Sequence, residues 1–204
     1  FLPNSKLNFA ENLLSKNNMN KAITFVSENG FREERNWYEL NINVSKISKF
    51  LKSIKIKKKD RVAAYMPNTI ETIEAFIASS SLGAIWSSCS PDFGVKGVVE
   101  RFSQISPKVL FVVDKYFYNG KIINILERVP LILKEIPSIE YVVIVNYPGE
   151  KYLENKYTSK KSKVLKWSEL MKQESEEIQF SKFDFEQDLA ILYSSGTTGK
   201  PKCI

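Results

Sequence analysis

Two runs constrain the fold of this chain more than anything else in it: Val-Leu-Phe-Val-Val at 109 to 113 and Tyr-Val-Val-Ile-Val at 141 to 145. Neither alternates apolar with polar residues, as a strand with one wet face would. An unbroken β-branched run of this length fits a strand covered on both sides. Such strands need helices on both faces, and the neighbouring sequence supplies them. From Trp37 to Ile54, apolar residues at Leu40, Val44, Ile47, Phe50, Leu51 and Ile54 recur at spacings of three and four, the signature of an amphipathic helix. Strands alternating with helices predict an α/β fold with a mostly parallel sheet flanked by helices.

The other elements are read in the same way. Ala22 to Val26 is a strand, and Asn29-Gly30 supplies a turn that returns it through Phe31 to Arg35, giving an N-terminal hairpin. Lys57 to Asp60 breaks the long helix, and Arg61 to Met66 is the next strand. Asn68 with Glu71 three residues later fits a capping box for a helix carrying Ile70, Ile73, Phe76, Ile77 and Leu82. Ala84 to Trp86 is a brief strand. Pro91-Asp92 opens a helix with Val95, Val98, Val99, Phe102 and Ile105 on one face, closed by Pro107. A helical segment is expected around Ile122 to Ile136, interrupted or restarted at Pro130. Tyr147 to Lys163 reads as a surface loop, Trp167 to Met171 as a small helix, and Leu189 to Tyr193 as a last, buried strand.

Composition removes several kinds of chemistry. There is no histidine, so Ser-His-Asp and Cys-His catalysis and His-ligated metals are excluded from this chain. Cys89 and Cys203 lie far apart without CxxC spacing, which indicates neither a disulfide framework nor a zinc site and fits a reducing, cytoplasmic setting. Lys plus Arg number 30 against 23 Asp plus Glu, for a net charge of +7, yet only five of the thirty are arginine. Base and bidentate phosphate recognition draw heavily on arginine. The lysines are interleaved with polar and acidic residues, so no nucleic-acid partner is expected. The uncharged stretch from Ala75 to Pro91 is rich in serine and no apolar run is long enough for a membrane span. The chain opens without Met or a signal-like segment and stops two residues beyond its most motif-like stretch, so both ends are expected to be cut points.

That stretch is Ser194-Ser195-Gly196-Thr197-Thr198-Gly199-Lys200-Pro201-Lys202: four hydroxyls, two glycines and two lysines in nine residues. Glycines let backbone N–H groups close around an anion, hydroxyls donate further hydrogen bonds, and lysine compensates charge, which together suit a polyphosphate. It is not a Walker A loop, because only two residues separate the glycines and Pro201 follows Lys200. The residues alone leave two readings open, a phosphate loop and a solvent-exposed Ser/Thr/Gly turn.

Residues 193 to 202, Tyr-Ser-Ser-Gly-Thr-Thr-Gly-Lys-Pro-Lys, resemble the phosphate-binding signature of the adenylate-forming, AMP-binding superfamily of acyl-CoA synthetases. The likeness extends upstream through residues 6 to 14, through Arg61 to Asn68 and through Gly83 to Gly94. The segment from Trp86 to Gly94, with Arg101 to Ile105, is similar to the branch of that family acting on acetoacetate. The resemblance implies a two-step reaction. A carboxylate, here acetoacetate, attacks the α-phosphate of ATP with loss of pyrophosphate, and the thiol of coenzyme A then displaces AMP. It implies a partial large-lobe adenylation domain over residues 21 to 204, preceded by a family-type extension over residues 1 to 20 and truncated after the phosphate loop.

Ser194, Ser195, Gly196, Thr197, Thr198, Gly199 and Lys202 are implied to hold the ATP phosphates with Mg²⁺, while Lys200 stands at a variable position. Lys121, in a segment similar to one that offers basic groups to the CoA nucleotide, is the CoA candidate. No catalytic group and no protein ligand for a metal is expected within these residues. Cys203 is expected to be a small packing residue, and Trp86, Asp92 and Phe93 mark the acetoacetate branch, with strand-end packing and helix capping as the plainer roles. Two alternatives stand beside this reading: a synthetase for acetate or propionate, and a noncatalytic nucleotide- or phosphate-binding module.

Overall fold

A computed structural model describes residues 4–153, 161–194 and 199–204. The chain enters through a two-residue strand β1 (Lys6–Leu7) and a short helix α1 (Phe9–Leu13) capped by Asn8, whose Oδ1 accepts from the N–H groups of Ala10 and Glu11. Its Nδ2 donates to Ser81 O and Ser181 O, fastening the entry to two distant segments. Strands β2 (Lys21–Val26) and β3 (Arg32–Asn36) form the expected antiparallel hairpin, with Gly30 at a φ of +82° in its turn. Helix α2 (Trp37–Ser53) starts at a true capping box, in which Asn36 and Glu39 exchange side-chain and backbone bonds.

Five parallel strands follow. β4 (Arg61–Tyr65), β5 (Ile85–Cys89), β6 (Val109–Val113), β9 (Tyr141–Val145) and β10 (Lys163–Lys166) pair in the order β10-β9-β6-β4-β5. The run at 109 to 113 is the centre of the sheet and all five of its side chains are fully buried. Between these strands run α3 (Ile70–Ser81), α4 (Val95–Phe102), a hairpin β7 (Lys115–Tyr118) and β8 (Lys121–Asn124), and α5 (Val129–Glu135); α6 (Trp167–Met171) follows β10. The chain steps from β4 to β5 in one direction and from β6 to β9 in the other. Right-handed crossovers therefore set α3 on one face and α4 and α5 on the opposite one. Packing agrees, since α3 contacts α1 and α2 while α4 contacts α5.

The adjacent strands whose connections leave in opposite directions are β4 and β6. In open α/β sheets the crevice beyond the carboxyl ends of such a pair is where ligands bind.

Several expectations are corrected. Asn68 does not cap α3: the cap position is Thr69, without a side-chain cap bond, while Thr72 Oγ1 donates to Pro67 O at 2.7 Å. Helix α4 begins at Val95 rather than at Pro91, and Ile105 is buried beyond its end. The expected helix over 122 to 136 divides into β8, a 3-10 turn at Leu126–Arg128, and α5. The Asn119-Gly120 dipeptide, with φ of +49° and +71°, turns β7 back onto β8, and Pro130 sits in the first turn of α5, where its missing N–H costs nothing.

The last expected strand is not buried. Only Ala190 bridges to Trp86 beside β5, and Leu192 is 65% exposed. The β-structure there is instead a small hairpin, described below. Of the surface loop from 147 to 163, residues 154 to 160 lie outside the described part. Its described portion is pinned rather than free: Asp114, fully buried at the end of β6, accepts from the N–H groups of Tyr147 and Leu153 at 2.9 and 3.0 Å.

Candidate functional site

Residues 189 to 191 run parallel to β5 along the free edge of the sheet. Trp86 N–H donates to Leu189 O at 3.1 Å and Ile191 N–H donates to Trp86 O at 2.8 Å. Because the direction is parallel, the chain emerges at the carboxyl end of the sheet, the ligand side of an α/β fold. There it forms the antiparallel strands β12 (Tyr193–Ser194) and β13 (Lys202–Cys203), a two-stranded sheet separate from the one that β11 (Phe183–Asp184) makes with β1. The hairpin is closed at its base by reciprocal bonds between Leu192 and Ile204, of 3.1 and 2.9 Å.

Two of the predicted site residues meet here. Ser194 is the register partner of Lys202, and Tyr193 of Cys203. Directly paired residues of an antiparallel ladder carry their side chains on the same face with Cβ atoms roughly 5 Å apart. A hydroxyl and an ammonium group are thus presented together at the mouth of the loop joining the arms. Gly199, in that loop, has a φ of +120°, and a Cβ built on it would meet nothing within 4 Å. Its glycine is required by backbone conformation, and the space beside it is open. Ser195, Gly196, Thr197 and Thr198 lie outside the described residues.

The donor set suits an anion. Ser194 and Lys202 supply a hydroxyl and a positive charge, and no group of three or more Asp, Glu or Cys able to hold a metal ion occurs among the described residues. A polyphosphate fits these groups.

The arms are steadied from within the fold. Ser87 Oγ donates to Ile191 O at 2.9 Å and lies 3.2 Å from Tyr193 Oη. Burial pushes the Tyr193 phenol up to about 12, so it stays un-ionised near neutral pH. Cys203 is exposed, contrary to the packing role expected of it, whereas Cys89 is buried and its thiol is pushed up to about 12 by desolvation. Cys89 is no activated nucleophile by this criterion.

A second constellation fills the crevice beyond β4 and β6. Arg128 Nη1 donates to Tyr65 Oη at 2.6 Å, to Pro91 O at 2.9 Å and to Phe93 O at 3.2 Å. Asp92 accepts from Ser90 Oγ and from Tyr116 Oη, each at 2.6 Å, and these bonds hold its carboxyl below the usual carboxylate range. Asp92 is therefore a tie between the 90 to 94 turn and β7, not a helix cap. Trp86 is a core residue, packed between the tilted rings of Phe76 and Phe111 at centroid distances of 5.8 and 6.4 Å. Sequence reasoning missed Tyr65, Tyr116 and Arg128. The signal available for Arg128 was its rarity as one of five arginines, and for Tyr116 the Asn119-Gly120 turn that makes its segment a hairpin.

Lys121 opens β8 directly after that turn and is exposed. It stands on the β7–β8 hairpin, a different element from β12–β13, so the structure brings Ser194 and Lys202 together but does not bring Lys121 to them.

A parallel α/β sheet with its loops gathered at the carboxyl ends, and a hydroxyl- and lysine-bearing hairpin leaving from the same side, defines a ligand-binding domain of the doubly wound class. The sequence places it further: the model of the AMP-binding enzyme family matches residues 14–204, and the chain belongs to that family. The acetoacetyl-coenzyme A synthetase of Rhizobium meliloti (strain 1021) is 41% identical, over 100% of this chain and 31% of that protein. The malonamoyl-CoA synthetase vrtB of Penicillium aethiopicum is 38% identical, over 98% of this chain and 29% of that protein. Among solved structures, an acetoacetyl-CoA synthetase from Streptomyces lividans superposes with a TM-score of 0.86 at 32% identity, covering 98% of this chain and 30% of that one. The chain spans about 30% of the length of these relatives.

Among the described residues, no helix is long and apolar enough to cross a membrane.

Proposed function

We propose that this chain is the N-terminal portion of an ATP-dependent acid–thiol ligase that forms acetoacetyl-CoA from acetoacetate, ATP and coenzyme A, through an acyl-adenylate, with release of AMP and pyrophosphate. The observation that carries this reading is the β12–β13 hairpin. It sets Ser194 opposite Lys202 at the carboxyl side of the sheet, in a chain alignable along nearly its whole length with acetoacetyl-CoA synthetases.

In this role Ser194, Ser195, Gly196, Thr197, Thr198, Gly199 and Lys202 bind the β- and γ-phosphates and stabilise charge on the departing pyrophosphate. Stabilisation of this kind relies on fixed donors and needs no proton transfer, so the lack of histidine is no obstacle. ATP would supply the adenylyl group, with pyrophosphate leaving, and Mg²⁺ would accompany the phosphates at these residues. Lys121 is assigned to the phosphates of the CoA nucleotide. Residues 21 to 204 belong to the adenylation domain, residues 1 to 20 to its extension, and the enzyme works in the cytosol.

A second reading concerns only the acid, and rests on the likeness to a malonamoyl-CoA synthetase. The test is acid-dependent exchange of labelled pyrophosphate into ATP by the protein at the length of its relatives, with acetoacetate, malonamate, acetate and propionate in parallel. Exchange is expected to be fastest with acetoacetate. Preference for another acid reassigns the substrate, and no exchange with any acid, beside tight ATP binding by calorimetry, supports a noncatalytic module instead.

A further inference from the structure

The two runs of sequence that resemble the acetoacetate branch, 86 to 94 and 101 to 105, lie about a hundred residues before the phosphate signature, and the structure brings them against it. Arg101, in the last turn of α4, places its guanidinium 4.0 Å from the centre of the Phe93 ring and 5.8 Å from that of Tyr193. Nη1 donates to Gly97 O at 2.9 Å, which fixes the plane of the group. No ion pair to Arg101 occurs among the described residues. A guanidinium held between aromatic faces orients its neighbours as well as carrying charge.

Gln104, one turn further on, holds the other arm. Its Nε2 donates to Pro201 O at 2.8 Å and to Glu100 O at 2.7 Å, and Cys203 Sγ lies 3.5 Å from its Oε1. Proline removes an N–H from the return arm and so denies it a ladder bond. The bond from Gln104 to the Pro201 carbonyl is a long-range anchor where the hairpin's own hydrogen bonding is weakest.

We infer that Arg101 and Gln104 are positioning residues for the β12–β13 hairpin: Arg101, in the last turn of α4, holds the outgoing arm at Tyr193, and Gln104, just beyond the end of α4, holds the return arm at Pro201, so that together they fix the arms that bear Ser194 and Lys202. This rests on the proposed function for its catalytic consequence but not for its structural content. The geometry is economical, since α4 also joins β5 to β6, and the same helix that fixes the sheet fixes the hairpin beside it. The exposed Cys203 is then explained as a contact for the Gln104 amide.

The experiment has two arms. In the first, amide hydrogen exchange is followed on this 204-residue chain and on Arg101→Leu and Gln104→Met. Exchange at Leu192, Ser194 and Ile204 is expected to speed up by roughly 10-fold or more while the amides of β6 keep their protection, since local opening reports local contacts. In the second, the protein at the length of its relatives is assayed by pyrophosphate exchange. The KM for ATP is expected to rise roughly 10-fold in each variant, with that for the acid within about 2-fold, as displaced phosphate donors would produce. Arg101→Lys, which keeps charge but loses the planar stack, should recover only part of the loss.

A purely structural role predicts less folded protein with an unchanged KM for ATP. Unchanged hairpin exchange in folded variants overturns the inference. Faster hairpin exchange together with a wild-type protein that exchanges no pyrophosphate upholds the grip by α4 and sinks the enzymatic reading alone.

Discussion

The central sheet and the C-terminal hairpin are both β-structure, but they are specified by different means. In β6 every residue is fully buried, and the neighbouring strands β4 and β9 present almost unbroken apolar surface to it. Position there is fixed by desolvation spread over many side chains, so no single hydrogen bond decides the register. The hairpin has two paired positions in its ladder, Ser194 is only half-buried, and Leu192 and Ile204 are 65% and 75% exposed. Its position depends on a few pins, Ser87, Arg101 and Gln104, each reaching across many residues of sequence. A segment proposed to hold a charged ligand has to leave its polar groups available, which bars the burial that holds the sheet.

Substitution should separate the two regions. Phe111→Ala in β6 is expected to cost about 3–5 kcal/mol, because a ring packed against Trp86 and Trp167 leaves a cavity, and urea denaturation should show it as a large fall in midpoint. A loss below about 1 kcal/mol would mean that the centre of the sheet is loosely packed.

Next in size is a pH effect. Glu74, fully buried on α3, accepts from Arg35 Nε at 3.1 Å and Asn43 Nδ2 at 2.9 Å, with its other oxygen unpaired. Desolvation, opposed by Arg35 and Asn43, raises its carboxyl from 4.5 to about 8. A group whose folded value lies above its unfolded value contributes stability that is complete below the unfolded value. That stability is lost as pH rises through the folded one. Stability should therefore decline between about pH 4.5 and 8, by roughly a few kcal/mol, and level off above. Glu74→Gln should flatten that slope in melts taken across the range, and a variant that keeps it would exonerate Glu74.

Tyr116→Phe, which removes one of the two hydroxyl donors to Asp92, is expected to cost about 1 kcal/mol. The smallest effect belongs to the hairpin: Leu192→Ser, at an exposed position, should stay within about 0.5 kcal/mol of the parent by thermal melting. A loss comparable to that of Phe111→Ala would show the hairpin to be part of the core after all.

The same contrast explains what the sequence disclosed. The runs at 109 to 113 and 141 to 145 and the periodicity of α2 are long-range burial written as local composition, and they predicted the sheet and its flanking helices. The β7–β8 hairpin was obscured because Ile122, Ile123 and Ile125 mimic helical spacing, while the deciding Asn119-Gly120 is two residues long. Asn68 and Glu71 have the spacing of a capping box, yet Pro67 delays the helix and Thr72 takes its carbonyl. At the site, residue types and spacing marked out the segment from Ser194 to Lys202, and the family resemblance picked out Ser194, Gly199 and Lys202 within it. Neither local pattern nor resemblance could show the contacts of Arg101 with Tyr193 and of Gln104 with Pro201, since those join positions about a hundred residues apart.

On the function proposed above, the hairpin and its loop hold the phosphates of ATP without helping to hold the fold. The most direct measurement is acetoacetate-dependent ATP–pyrophosphate exchange by the protein at the length of its relatives, comparing Thr198→Ala and Lys202→Ala with the parent. Melting temperature should be recorded on the same samples. Exchange is expected to fall by about 10²-fold or more at an unchanged melting temperature, the scale for removing one preorganised donor to developing charge. Exchange at the parental rate in both variants would contradict it.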